Sequence, residues 1–177
     1  MEKIVFAGGC FWCTEAVFQR LNGVVKVVSG YANGNESAKP SYEEVSRGNT
    51  GFAEAVEVEF DPKVVSLGKL LEIFWATHDP TSLNKQGNDE GTQYRSAIFY
   101  LNDDQKNVVF QSKENQPNKD SIVTKIEPLK NFYTAEEYHQ NYYNDYQNTN
   151  TYCMLVINPK IEKLLEKFNA DVKSEYR

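Results

Sequence analysis

What this sequence lacks narrows its function before any motif is read. No stretch of about 18 consecutive apolar residues occurs in its 177 positions, so no transmembrane helix and no membrane partner are expected. The apolar run behind Met1 is too short for the core of a signal peptide, which makes a cytoplasmic location the expectation. Positive charge is in deficit: 19 Lys and Arg stand against 25 Asp and Glu, a formal net charge of -6. Proteins that bind nucleic acid by neutralising phosphates need the opposite balance, so no nucleic-acid partner is expected. Cysteine is scarce as well. Three residues are an odd set without an export signal, and they point to chemistry or metal binding before a disulfide framework.

The chain is long enough to bury one core, and no repeat or linker divides it. We expect a single catalytic domain over residues 1–177, its C-terminal segment from about residue 142 wrapping the core. Continuous or alternating apolar runs predict strands at residues 3–7, 24–31, 52–60, 96–101 and 122–127. Helical spacing predicts a helix over residues 10–21, another capped by Ser66 and carrying Leu67, Leu70, Leu71, Phe74 and Trp75, and a third over 104–115. Thr134-Ala135-Glu136-Glu137 reads as a capping box opening a further helix. The last helix starts at Asn158-Pro159, with Ile161, Leu164, Leu165 and Phe168 on one face. Between these lie a Gly/Asn/Ser loop after residue 31, a short turn at 42–45, a long polar loop at 79–95, and a Tyr- and Asn-rich stretch from 142 to 152 that reads as a surface segment. The alternation predicts an α+β fold, a mixed or antiparallel sheet with helices packed on it around a two-layer ferredoxin-like core.

Cys10 falls where the first strand turns through Gly8-Gly9 into the first helix. A thiol attacks as thiolate, and an unperturbed Cys with pKa about 8.5 is only roughly 3% ionised at pH 7. Amides and dipole at a helix N-terminus are expected to lower that value, and the two glycines leave room for a substrate. A buried, inert Cys10 is the plainer alternative. Cys10-Phe11-Trp12-Cys13 also has C-x-x-C spacing, which admits a thioredoxin-like dithiol or half of a zinc site. Two bulky aromatics between the sulfurs disfavour the first. The second would have to draw on Cys153, His78 and His139, with no second C-x-x-C and no H-x-x-x-H, so no metal is expected.

The third strand carries an anomaly. Period-two geometry puts Phe52, Glu54, Val56, Val58 and Phe60 on one face and Ala53, Ala55, Glu57 and Glu59 on the other, so Glu54 sits among apolar neighbours. A Glu with pKa about 4.3 is protonated only about 0.2% of the time at pH 7, a handicap of roughly 3.7 kcal/mol for an acid catalyst. Burial removes most of that handicap, unless Glu54 lies at a frayed strand start or pairs with a Lys or Arg.

Gly9-Cys10-Phe11-Trp12, Pro40-Ser41-Tyr42, Gly51-Phe52-Ala53-Glu54-Ala55-Val56, His78-Asp79-Pro80, the run from Gly87 through Asp89 and Tyr94 to Ser96, and Glu136-Glu137-Tyr138-His139-Gln140 follow one another in an order and spacing that resemble the A-type peptide methionine sulfoxide reductases, the MsrA family. The resemblance runs from about residue 4 to 159. It implies reduction of methionine-S-sulfoxide, free or in proteins, with Cys10 as nucleophile on sulfur and Glu54 as the acid on oxygen. Tyr42 and Tyr94 match the family's phenols that hydrogen-bond the sulfoxide oxygen, and Asp89 matches an assisting loop carboxylate. Phe11 and Trp12 match the walls of the methyl pocket. No bound cofactor is implied. Thioredoxin, or dithiothreitol in vitro, is the external reductant, and a monomer is expected.

Attack leaves Cys10 as sulfenic acid, which a second thiol condenses to a disulfide. Tyr152-Cys153 resembles the family's resolving position, expected on a flexible segment, and Cys13 is the rival, about one helical turn from Cys10. We take the relay as Cys10 with Cys153 first and Cys13 as an optional third thiol. Phe52 stands where family members often have His, which removes any polar role there. His78 and His139 fit family positions and read as structural.

Overall fold

A computed structural model describes residues 1–35 and 39–177. Strands β1 (Glu2–Gly8), β2 (Val24–Ala32), β3 (Ala53–Phe60), β6 (Ser96–Tyr100), β7 (Lys125–Pro128) and β8 (Phe132–Thr134) form one mixed sheet, in the order β7-β6-β1-β3-β2-β8. All its pairings are antiparallel except that of β6 with β7. Helices α1 (Phe11–Gln19) and α3 (Leu67–Thr77) are the crossovers from β1 to β2 and from β3 towards β6. With α4 (Asp103–Glu114) and α6 (Asn158–Phe168), they cover the sheet face that carries Ile4, Phe6, Val56, Val58 and Ile98.

Local chemistry accounts for the helix starts. Ser66 accepts from Lys69 N, and Asn102 accepts from Gln105 N, each side chain relieving an amide that has no partner inside its helix. The turn expected at 42–45 is a short helix, α2 (Tyr42–Ser46), because Ser41 and Glu44 close a reciprocal capping box. The box expected at Thr134 does not form. Thr134 pairs with Gly30 as the end of β8, and Glu136 is spent on Tyr31 Oη at 2.8 Å and Tyr42 N at 3.0 Å, leaving one 3-10 turn at Glu137–His139. A short helix, α5 (Tyr142–Tyr146), follows instead. The strand expected from residue 122 begins only at Lys125, after a 3-10 turn at Lys119–Ser121.

The long polar loop is not structureless. It holds a small hairpin, β4 (Lys85–Gln86) with β5 (Asp89–Glu90), and a 3-10 turn at Thr92–Tyr94. The second face of β3 is divided: Glu57 and Glu59 are half-buried, whereas Ala53 and Ala55 are buried with Val5, Ala7, Ala97 and Phe99 under Leu129 and Phe132. The Gly/Asn/Ser loop after β2 falls in part on residues 36–38, outside the described residues. No helix is long and apolar enough to cross a membrane among the described residues.

Gly30 marks the point where β8 closes the sheet. A Cβ there would meet the Phe132 ring and sit 2.5 Å from Tyr133 O. Gly30→Ala is therefore expected to cost about 1–3 kcal/mol as an overpacked site, read as a lower urea midpoint. An unchanged midpoint would mean that β8 moves aside freely.

Candidate active site

Cys10 occupies the N-cap of α1, and the turn beneath it is braced from the polar loop. Gly9 has φ +97, and a Cβ there would meet Gln86 Cγ at 2.6 Å, so glycine alone fits. Gln86 is clamped in turn to Asp79, donating to its carbonyl and accepting from its amide at 3.1 Å. The β4–β5 hairpin thus holds the turn that aims the thiol.

No side chain of its own caps α1. Its first amide is satisfied from β3, where Phe11 N donates to Glu54 Oε2 at 3.1 Å. This bond sets the Glu54 carboxyl against the same helical turn as Cys10. Glu54 is 1% exposed, and burial pushes its pKa up to about 8, against the Phe11 amide, which lowers it, and with Asp89 and Cys13 adding to the rise. The acid form predominates at neutral pH.

The expectation that the helix N-terminus would depress Cys10 is corrected. Loss of water, a hydrogen bond with Cys13 and the neighbouring Glu54 push the Cys10 thiol well up, and the Trp12 amide acts in the opposite direction. The dipole of a nine-residue helix is outweighed by desolvation. Cys13 moves the other way, lowered chiefly by its hydrogen bond with Cys10 and raised by burial. The two residues share one helical turn, Cys13 N donating to Cys10 O at 3.1 Å.

Tyr42 and Tyr94 are brought together by a docking contact between two loops. Thr92 Oγ1 donates to Gly48 O at 3.0 Å and Gln93 Nε2 to Ser46 O at 3.3 Å, which seats the Tyr94 turn on the end of the helix that Tyr42 begins. Burial first, and then Glu54, pushes both phenols up, so each remains a hydrogen-bond donor. Phe11 is buried beside Tyr31 and His139, with ring centroids 5.7 and 5.0 Å away. Trp12 stacks flat on Tyr142 at 3.7 Å and donates Nε1–H to His139 Nδ1 at 3.1 Å. Those contacts fix the indole, and they give His139 a definite job. His78 is tied to Phe74 O at 2.6 Å and Ser96 Oγ at 2.8 Å, and burial pushes its pKa down to about 4.

A cavity of about 250 Å³ opens beside Cys10, lined also by Cys13, Asp89, Tyr152, Gln86 and Lys160. Glu54, Tyr42 and Tyr94 are not among its lining residues. Asp89 accepts from Tyr152 Oη at 2.6 Å. Cys153 does not join the cavity. It is fully buried in a π-helical turn, Cys153–Ile157, that runs straight into α6, so the flexible carrier expected for it is a packed helical element. Phe52 packs its ring edge-on to Tyr133 at 5.8 Å, an apolar use of that position. Among the described residues no group of three or more His, Cys, Asp and Glu is gathered to hold a metal ion.

Sequence reasoning missed Tyr142 and Tyr152, which it had assigned to a surface segment. The density of tyrosine just ahead of Cys153 was the available signal, since aromatic rings repay burial more than any other side chain.

Compared with known proteins, the chain matches the family profile described as peptide methionine sulfoxide reductase over residues 2–173. It is 48% identical over 176 residues to the curated peptide methionine sulfoxide reductase MsrA of Acinetobacter baumannii (strain SDF), covering 99% of this chain and 100% of that protein. Among solved structures, Mxr1 from Saccharomyces cerevisiae in reduced form is similar with a TM-score of 0.78 and 42% identity, over 84% of this chain and 87% of that one. Mxr1 in complex with Trx2 is similar with a TM-score of 0.55 and 34% identity, over 80% and 84%.

The position of Glu54 carries a pH signature. Its folded pKa of about 8 lies above the ordinary 4.5, so folding takes up a proton between those values. The acid form costs nothing below pH 4.5, and wild-type stability is lost progressively as pH rises towards about 8. Glu54→Gln, which keeps the acceptor for Phe11, is expected to gain stability over wild type across that window and to level off above it. Urea denaturation at a series of pH values reads the difference; parallel curves would mean an ionised Glu54.

Proposed function

The chain belongs to the peptide methionine sulfoxide reductase family, and on that premise we propose that it reduces methionine-S-sulfoxide, free or protein-bound, through Cys10 and Glu54, and is recycled by thioredoxin as a cytoplasmic monomer. The observation that carries this reading is the Phe11–Glu54 hydrogen bond, which sets a neutral carboxyl beside the N-cap thiol. A sulfoxide becomes electrophilic at sulfur as its oxygen takes up a proton, so thiol and acid must address adjacent atoms.

In this mechanism the sulfoxide oxygen receives the Glu54 proton while Tyr42 and Tyr94 hold it by hydrogen bonds. Cys10 Sγ attacks the sulfoxide sulfur, and the Cys10 proton restores Glu54. The hydroxyl then passes to Cys10, which becomes sulfenic acid as methionine departs. A protonated Glu54 also removes the charge that would oppose a thiolate at Cys10. Phe11 and Trp12, the latter locked by Tyr142 and His139, wall the site for the methyl group.

The resolving order favoured by the geometry differs from that taken from the resemblance. Cys13 lies one turn along from Cys10, its amide donating to Cys10 O at 3.1 Å, and shares its cavity, whereas Cys153 is enclosed in the π turn. Positions i and i+3 of one helical turn have Cβ atoms about 5–6 Å apart, close to the roughly 3.5–4.5 Å a disulfide needs. Cys13 therefore closes the first disulfide, with Cys153 as a further thiol behind it. The complex of yeast Mxr1 with Trx2 supports a thioredoxin as the reductant.

Capped methionine S-sulfoxide should be turned over and the R epimer left intact; equal turnover of both would remove the reading. Cys10→Ser is expected to release no methionine, and Glu54→Gln to slow release by about 10²-fold, the lower end of what a positioned acid contributes. Cys13→Ser should complete one round and then stall with a trappable sulfenic acid. Rapid disulfide formation in that variant would return the resolving role to Cys153.

A further inference from the structure

The cavity beside Cys10 contains a polar chain that ends on Asp89 and runs through a phenol, Tyr152, to which the reduction step gives no part. Cys13 Sγ lies 3.7 Å from Tyr152 Oη, and that hydroxyl donates to Asp89 Oδ2 at 2.6 Å. With its proton committed to the carboxylate, the phenol oxygen is left as an acceptor, and the Cys13 thiol is the donor that faces it. The three residues line the cavity together with Cys10, so both ends of the chain open on the place where two sulfurs must join. Tyr152 is also held in position: its ring stands edge-on to Trp12 at 5.9 Å and 77°, and its neighbour Cys153 is fully buried. Among the cavity residues, Asp89 and Tyr152 form the shortest link, of the charge-assisted kind.

Resting on the reading that Cys13 resolves the sulfenic acid, we infer that Tyr152 is the proton relay of disulfide closure, accepting the Cys13 thiol proton while it passes its own to Asp89. Cys13 Sγ attacks Cys10 Sγ, and the S–S bond forms as the S–O bond of the sulfenic acid breaks. Cys13 is oxidised and the Cys10 sulfur reduced, so no further oxidant or reductant enters. The departing hydroxyl takes the proton that Asp89 received and leaves as water, which balances the step within the cavity. Asp89 then returns to carboxylate and accepts from Tyr152 again.

Tyr152→Phe keeps the ring against Trp12 and deletes only the relay. Mixed with an equimolar amount of S-sulfoxide and no reductant, this variant is expected to close the Cys10–Cys13 disulfide about 10²-fold more slowly, with its sulfenic acid trapped by dimedone in the interval. Its closure rate should climb with pH towards an ordinary thiol pKa of about 8.5, since Cys13 must then ionise to solvent, while the wild-type rate is flatter. A tyrosine that only packs would not change that profile. Wild-type closure should also slow in D2O, a measurement independent of whether the variant folds; equal rates in both solvents would overturn the relay. A variant that closes the same disulfide at the wild-type rate and pH dependence would also overturn it, while leaving Cys13 as resolver. A wild-type disulfide mapped to Cys10 and Cys153 would instead remove the underlying reading, and the relay with it.

Discussion

The hydrogen bond from the Phe11 amide to Glu54 is the constraint on which the rest of this site depends. A helix start leaves amides unpaired, and here the missing partner comes from the neighbouring strand and not from the N-cap residue. That leaves position 10 without a capping duty, so a thiol can occupy it. The same bond keeps an acidic side chain on the buried face of β3, where an unpaired carboxyl would otherwise be costly. Strand register and helix entry thus fix two reactive groups relative to each other.

Desolvation governs both groups, with a common direction. It holds Glu54 neutral and Cys10 protonated, a resting site with little net charge. Such a site suits a substrate that is dipolar and uncharged at sulfur, because charge develops only as the oxygen is protonated and the sulfur attacked. The aromatic shell of Phe11, Trp12, Tyr142 and His139 packs around this site, and the Trp12–His139 bond ties off the indole N–H within it. Packing and electrostatics here are one arrangement.

Much of this was legible in the residue order. The alternation in β3 exposed Glu54 as a misplaced carboxylate, the Gly8-Gly9 break located Cys10 at a helix start, and Ser66 marked the start of α3. What was illegible depended on partners distant in sequence. Thr134 and Glu137 carry a valid helix signal, which lost to the pairing of Thr134 with Gly30 and to the claims of Tyr31 and Tyr42 on the intervening Glu136 carboxylate. The raised Cys10 thiol could not be read from helix position, because what opposes the dipole is how much water the surrounding fold removes. The tyrosines of residues 142–152 have no period because they serve a cavity and a stack, not one face of a regular element.

The π turn at Cys153–Ile157 resets the helical phase ahead of α6. Asn158 N reaches back five residues to Cys153 O, one more than an α turn takes up. Side chains before and after that turn are out of phase by about 100°, the step of one α-helical residue. The apolar stripe of α6, with Ile161, Leu164 and Phe168, is therefore indexed separately from the segment that carries Tyr152 and Cys153. One residue inserted or removed ahead of Asn158 would thus turn Tyr152 and Cys153 to a new bearing while the stripe of α6 keeps its own.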